Sequence, residues 1–416
     1  MTYLKHLIIL LFLFLLTNNT NIKLDHLVKP PLQFIHKDYK TLEINKNFDS
    51  KGHYKTVLDT GKLYMYNKPE QLNDGIPTGT LESVELETHS IQDLMNDIHN
   101  TVYSEIHSIL VYKNNKLVLE EYFYGNNDTI QFENDVTVDK SPVHIQWSRD
   151  KKHYIASVNK ALTSTLFGIA LDRSGVSIKD KISPYLPDYS SHFNDEKKVL
   201  INFEDCLNMT AGFEWDEWQG NDLKSLWKTD DFTDFVLSKP SMGTDVEWRY
   251  NSALPNLLLK SLKALTGCSS IKSWAYDNFY KKLGISDYKW QTQPDGLPEG
   301  SARMYMRPRD MLKIGITYLN GGVWNNEQVI PKSWVDNCFT IKEKTSAGNY
   351  SNYFWHRELT GVKYLSADGD GGNYINIFPE QNIVIVITQG NYLQWPFYVN
   401  QANSIMEKCI IRTVKK

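Results

Sequence analysis

Apolar and polar positions along the 416-residue chain fall into patterns that can be read in order. Residues 7–16 are ten consecutive apolar side chains behind a start that carries Lys5. Ten residues are too few to cross a bilayer as a helix, and a basic start with a short apolar run is the pattern of a signal peptide. Residues 1–20 are therefore expected to be a leader, and the protein to be secreted or periplasmic. No cysteine follows the run, so no lipid anchor is expected, and no later window predicts a membrane span once the leader is removed. Residues 21–84 are polar, rich in Asn, Lys, Asp and Tyr, and lack periodicity, which predicts an extended arm. Ile91, Leu94, Met95 and Ile98 have helical spacing. Apolar stretches at 109–112 and 117–124 flank Lys113-Asn114-Asn115-Lys116, a hairpin pattern. Val158, Ala161, Leu162, Leu166, Ile169 and Ala170 predict a long amphipathic helix over 157–173, stopped by Gly175. Further helices are expected over 309–319 and 400–411, and strands over 374–378 and 383–388. The last strand is apolar on both faces, so both sides of its sheet should be covered. Strands near both ends with helices between predict an α+β fold. Its sheet domain would comprise 85–175 and 300–416, with a mostly helical insertion over 176–299.

Composition narrows the function classes. With 45 basic and 49 acidic residues the net charge is −4, which gives no electrostatic footprint for nucleic acid. Four widely spaced cysteines cannot form a disulfide scaffold and read as buried thiols, with one disulfide left open. No H-E-x-x-H, phosphate-cradling loop or dinucleotide fingerprint occurs, so neither metal nor organic cofactor is expected. His107, His144, His153 and His356 read as isolated surface or core residues. No G-x-S-x-G elbow is present.

Three short motifs carry chemistry. S-x-x-K occurs five times, at Ser148, Ser157, Ser225, Ser269 and Ser286. Only Ser157 opens a long periodic helix. There, free backbone N–H groups favour developing negative charge, and Lys160, three residues on, returns to the same face. A serine hydroxyl needs a base, and a buried neutral lysine is one. Tyr250-Asn251-Ser252, after Trp248, sits before an apolar helix, where a Tyr hydroxyl can relay a proton. Gly369-Asp370-Gly371-Gly372-Asn373 enters the strand at Tyr374, and its glycines admit a substrate close to the backbone. An N–H there, opposite that of Ser157, would complete an oxyanion hole.

Taken in order, Ser157-x-x-Lys160, Tyr250-x-Ser252 and the glycine-rich strand entry resemble the penicillin-recognising serine hydrolases. That group holds class C β-lactamases, D-alanyl-D-alanine carboxypeptidases, esterases and 6-aminohexanoate-dimer hydrolases. The segments at 207–213, 307–311, 319–324 and 330–335 are similar to its further motifs, and the likeness runs from about residue 85 to 410. The resemblance implies a β-lactamase/transpeptidase-like fold, with a five-stranded antiparallel sheet flanked by helices and an inserted helical domain. It implies Ser157 as nucleophile, Lys160 as base and Tyr250 as proton relay. The oxyanion donors would be the N–H groups of Ser157 and Asn373. Ser252, Asp370, Gly371, Gly372 and Trp248 are expected at the substrate, with Trp215, Trp218 and Trp227 also lining the cleft. The substrate would be a small-molecule, peptide or glycan ester or amide. Two departures argue against efficient β-lactam hydrolysis. Asp370 stands where the family offers Lys or His to a substrate carboxylate, and Ser252 stands where class C enzymes have Asn. A binding-only relative, a D,D-peptidase and a transpeptidase remain as alternatives.

Overall fold

The computed structural model describes residues 64–132, 136–244 and 246–410. The leader expected over 1–20 and most of the expected arm lie outside them. In chain order the elements that position the site begin with α1 (Thr88–His99), β1 (Ile106–Lys113) and β2 (Lys116–Tyr122). There follow β3 (His153–Tyr154), α2 (Val158–Ser174), α3 (Leu254–Thr266) and β4 (Met304–Met306). Next come α4 (Pro308–Leu319), β5 (Glu343–Thr345), β6 (Gly348–Ser351) and β7 (Phe354–Leu359). The chain closes with β8 (Val362–Gly369), β9 (Asn373–Phe378), β10 (Ile383–Gln389) and α5 (Phe397–Ile410).

One antiparallel sheet organises the molecule, in the order β5-β6-β7-β8-β9-β10-β1-β2. It has eight strands rather than five, because the hairpins over 343–359 extend it past β8. The β1–β2 turn is Asn114-Asn115, both at positive φ (47° and 63°), the two-residue geometry whose twist matches that of the strands it joins. Leu110 of β1 faces Val386 of β10, so the two ends of the chain meet in neighbouring central strands.

Alternation along β10 builds two cores. Ile383, Ile385 and Ile387 pack with Ile91, Leu94 and Met95 of α1 and with Ile405 and Met406 of α5. Val384 and Val386 point the other way, into the larger core with α2, α3 and α4. α4 approaches closely because Gly315 has no Cβ, which would stand 2.6 Å from Val384. The helix expected to be amphipathic, α2, is instead buried on all sides from Val158 to Leu171. It runs between the sheet and α3, so its polar residues Asn159, Lys160, Thr163, Ser164 and Thr165 have no solvent face and need internal partners.

Candidate active site

The site is built where β3 turns into α2. Ala156 takes a positive φ of 48°, a conformation that L residues seldom hold without support from their surroundings. The turn places Ser157 at the helix N-cap. The amides of Val158, Asn159 and Lys160 are taken by the carbonyls of Ile155, Ala156 and Ser157 at 3.0–3.2 Å. The Ser157 amide has no such backbone partner among the described residues. From the other side, β8 ends at Gly369, where a Cβ would lie 2.3 Å from the Ile155 carbonyl oxygen. Only glycine permits that approach. It brings the 370–372 turn, and Asn373 at the head of β9, alongside the Ser157 turn. Gly371 and Gly372 both hold positive φ there.

Lys160 is 2% exposed, although a lysine is seldom buried without partners. Its Nζ donates to Ser157 Oγ at 2.9 Å and reaches the Ser301 carbonyl at 3.4 Å. It also lies 4.8 Å from the centre of the Tyr250 ring. Ser301 is fixed by the buried Glu299 carboxylate, which accepts from the amides of Ser301, Ala302 and Arg303 at 2.6–2.9 Å. Asn159, beside Lys160, donates to the Glu299 carbonyl at 2.8 Å. The structure therefore brings Ser157, Lys160 and Tyr250 together. Tyr250 meets Lys160 with its ring face, and its hydroxyl bonds neither Ser157 nor Lys160. Tyr250 also stacks on Trp355 of β7 (6.5 Å between centres, 15° between planes) and touches Trp248.

Several expected substrate residues are placed differently. Ser252 is buried, and its hydroxyl and amide both donate to the Glu217 carboxylate, the amide at 3.0 Å, so its polar atoms are already engaged. Asp370 accepts from the Leu393 amide at 2.9 Å and bonds the Tyr398 hydroxyl of α5. Burial pushes its pKa up. Its carboxylate ties the β8–β9 turn to the 390–398 segment instead of standing free. Of the tryptophans, Trp215 and Trp227 are core residues, the latter stacked on Phe132. Trp218 is exposed, and Trp248 flanks Tyr250. The four cysteines are free.

Two features escaped the sequence reading. The first is Glu217, buried in a Trp-rich loop and holding Ser252 and the Trp215 indole N–H (2.7 Å). Nothing in Trp215-Asp216-Glu217-Trp218 marks the second acid as an internal one. The second is a histidine cluster one turn upstream of the nucleophile. His107 and His153 are not isolated: Nδ1 of the former lies 2.8 Å from Nε2 of the latter. His153 Nδ1 lies 2.8 Å from the Tyr154 carbonyl, which can only accept, so that nitrogen carries the proton. His153 Nε2 then accepts and His107 Nδ1 donates. His107 Nε2 is left 3.5 Å from the Glu105 carboxylate, and His144 approaches the same carboxylate at 3.9 Å. Burial lowers the pKa of both His107 and His153, whereas the Glu105 bond raises that of His144. Among the described residues no group of His, Cys, Asp and Glu has the arrangement of a metal site, and no helix is long and apolar enough to cross a membrane.

Comparison with known proteins places this architecture. The beta-lactamase family profile matches residues 107–399, from β1 into α5. The 6-aminohexanoate-dimer hydrolase of Paenarthrobacter ureafaciens is 23% identical over 264 residues. That stretch covers 57% of this chain and 66% of the relative, just under two thirds of its length. Among solved structures, a candidate 6-aminohexanoate-dimer hydrolase from Bacillus anthracis superposes with a TM-score of 0.62 at 15% identity, covering 85% of this chain and 89% of that one. A family VIII carboxylesterase gives 0.59 at 12% identity, covering 77% and 97%. The octameric penicillin-binding protein homologue from Pyrococcus abyssi gives 0.56 at 13%, covering 77% and 76%. At these identities the structural likeness is one of fold, while the profile match runs through both the sheet and the helical region: the chain belongs to the beta-lactamase family.

Proposed function

We propose that this protein is a serine hydrolase that cleaves an ester or amide through an acyl-enzyme on Ser157. The observation that carries the reading is the 2.9 Å contact between Lys160 Nζ and Ser157 Oγ, made inside a buried helix start. Neutral Lys160 takes the Ser157 proton as Oγ attacks the substrate carbonyl carbon. The carbonyl oxygen gains negative charge opposite the N–H groups of Ser157 and Asn373, and fixed donors aimed at developing charge lower such barriers by several kcal/mol. Collapse of the tetrahedral adduct expels the leaving group, which takes a proton from Lys160 by way of the Tyr250 hydroxyl. Water then enters by the same route in reverse and releases the acid. No step calls on a metal or cofactor.

Substrate class follows from what position 370 offers. A carboxylate already held by Leu393 and Tyr398 gives no cation to pair with a substrate carboxylate. The Trp248, Tyr250 and Trp355 wall favours an apolar or aromatic group beside the scissile bond. The reading is therefore a neutral or cationic ester or amide, with β-lactams as poor substrates. It includes export, on the leader pattern of residues 1–20. Activity on p-nitrophenyl esters, amino-acid amides and nitrocefin, with fluorophosphonate labelling of wild type and Ser157→Ala, tests it. Ester or amide turnover and a label confined to Ser157 are expected. A labelled Ser157→Ala protein, or nitrocefin as the best substrate, overturns it.

A further inference from the structure

Lys160 has a partner that the Ser-Lys-Tyr scheme does not use. Glu217 is buried with its carboxylate fully engaged: Oε1 accepts from the Ser252 hydroxyl, and Oε2 accepts from the Ser252 amide at 3.0 Å and the Trp215 indole at 2.7 Å. Three donors and no acceptor describe a site made for an anion. Its position is fixed by Tyr250-Asn251-Ser252, in which Tyr250 presents its ring to Lys160 and Ser252 grips Glu217. The motif thus holds the cation side and the anion side of one buried pair.

We propose that Glu217 is a positioning residue that sets the charge state of Lys160, its carboxylate stabilising the lysinium that forms when Ser157 gives up its proton. This rests on the serine-hydrolase reading above only for its kinetic consequence. The coupling between the two side chains stands without it. Burial raises the Glu217 pKa and the Lys160 charge opposes that rise, as expected of two groups in electrostatic contact. The other ionisable groups about the pair are Tyr250, Tyr350 on β6, and Glu299 behind Ser301. Tyr350 stays neutral because burial holds its pKa well above the ordinary value, and Glu299 spends its charge on the amides of residues 301–303.

The sign of the effect is fixed. A nearby anion favours protonated Lys160, so removing it lowers the lysine pKa. Glu217→Gln suits the test because the amide fits the same donors: its oxygen accepts the two N–H groups, and its NH2 donates to the Ser252 hydroxyl oxygen. Ser252→Ala is the control, since it breaks the hydroxyl–carboxylate bond but keeps the charge. Two readouts are taken on the full chain: the titration of Lys160 followed by NMR with ¹³Cε-labelled lysine, and the acidic limb of kcat/KM against pH. In Glu217→Gln the titration midpoint and the limb should both fall by about one pH unit, and kcat on the plateau should drop, whereas Ser252→Ala should leave the midpoint within a few tenths. A Lys160 midpoint unmoved in Glu217→Gln, or moved equally in Ser252→Ala, overturns the proposal. The NMR titration does so even for a protein without turnover, and loss of turnover on every substrate with the midpoint shifted indicts the hydrolase reading alone.

Discussion

Two buried polar clusters flank Ala156 and differ in nearly every respect that decides function. Downstream, Ser157, Lys160 and Tyr250 hold a hydroxyl against an amine at 2.9 Å, below an aromatic wall and beside a turn that leaves the Ser157 amide without a backbone partner. Upstream, His107, His153 and Glu105 close on one another and on the Tyr154 carbonyl. Both contain a base of adjustable pKa, yet only the first sets that base against a nucleophile. The second aims its protons at a backbone carbonyl, which fixes the strand leading into the nucleophile turn. Titratable groups buried together therefore do not by themselves mark an active site. What marks it is a donor whose partner can be replaced by substrate.

The largest expected effect breaks the downstream cluster. Ser157→Ala should lower kcat by at least about a thousandfold, since nucleophile removal leaves only binding and oxyanion stabilisation. Its unfolding midpoint should match wild type, because the hydroxyl meets only Lys160 among the described side chains. Lys160→Arg should be nearly as inactive as Lys160→Ala, because a guanidinium keeps its charge and cannot act as a base near neutral pH. Steady-state kinetics on a p-nitrophenyl ester decide both. An active Arg variant would show that Lys160 serves as a fixed charge and would move the base role to Tyr250.

A smaller effect belongs to the upstream cluster, and it appears in stability rather than rate. His107 and His153 are held below their ordinary pKa by burial, so below about pH 6.5 the unfolded chain binds protons that the fold refuses. Stability should then fall as pH drops from 6.5 toward 5. Glu105 adds to the loss at lower pH: although burial raises its pKa, bonds from His107 and His144 hold it down to about 2, so its contribution is present above the ordinary value of 4.5 and disappears as pH falls toward 2. His144 works in the opposite sense. Its raised pKa gives stability that is complete below 6.5 and fades as pH rises through its folded value. His107→Leu should flatten the acid slope between pH 6.5 and 5 by about 1.4 kcal/mol per pH unit. Ester turnover at pH 7 should stay within about tenfold of wild type. Urea unfolding at pH 7 and pH 5 measures the slope, and a slope equal to wild type would show that the histidines titrate freely in the fold.

How far each cluster could be read from the sequence follows from how its members are spaced. Ser157 and Lys160 are one helical turn apart, so a local rule finds them, and the order of the Tyr250 and Gly369–Asn373 segments supplies the rest. The β1–β2 turn, both strands at the C-terminus and the covering of both sheet faces were legible for the same reason, since each rests on a period of two or a two-residue turn. His107 and His153 meet only because β1 and β3 lie side by side, and no spacing along the chain announces that. Glu217 is hidden likewise, for its burial depends on Ser252 reaching it across the helical region. The amphipathic reading of α2 failed for a related reason. Its polar residues suit a solvent face as well as an interior one, and what separates the two is the carbonyl of Gly300 waiting for Thr163 and the Tyr318 hydroxyl waiting for Thr165.

The smallest effect concerns the residue between the clusters. Ala156 holds φ at 48°, a conformation that disfavours an L residue by roughly 1 kcal/mol relative to glycine. Ala156→Gly removes that strain, but it also frees the unfolded chain, which costs about 0.5–1 kcal/mol. The two terms nearly cancel, so stability should stay within about 0.5 kcal/mol of wild type. Rate should respond more than stability. The Ala156 carbonyl accepts the Asn159 amide at 3.1 Å, and its φ sets the direction in which Ser157 leaves the turn. Glycine widens the range of that direction and should lower kcat several-fold with KM unchanged, since less of the population holds Oγ against Lys160. Ala156→Val sharpens the contrast: a β-branched side chain at positive φ is strongly disfavoured and should destabilise by more than about 2 kcal/mol. A glycine variant stabilised by more than about 1 kcal/mol with kcat intact would mean that the upstream histidines and the Gly369 contact hold the turn by themselves, and that the alanine side chain has no part in aiming the nucleophile.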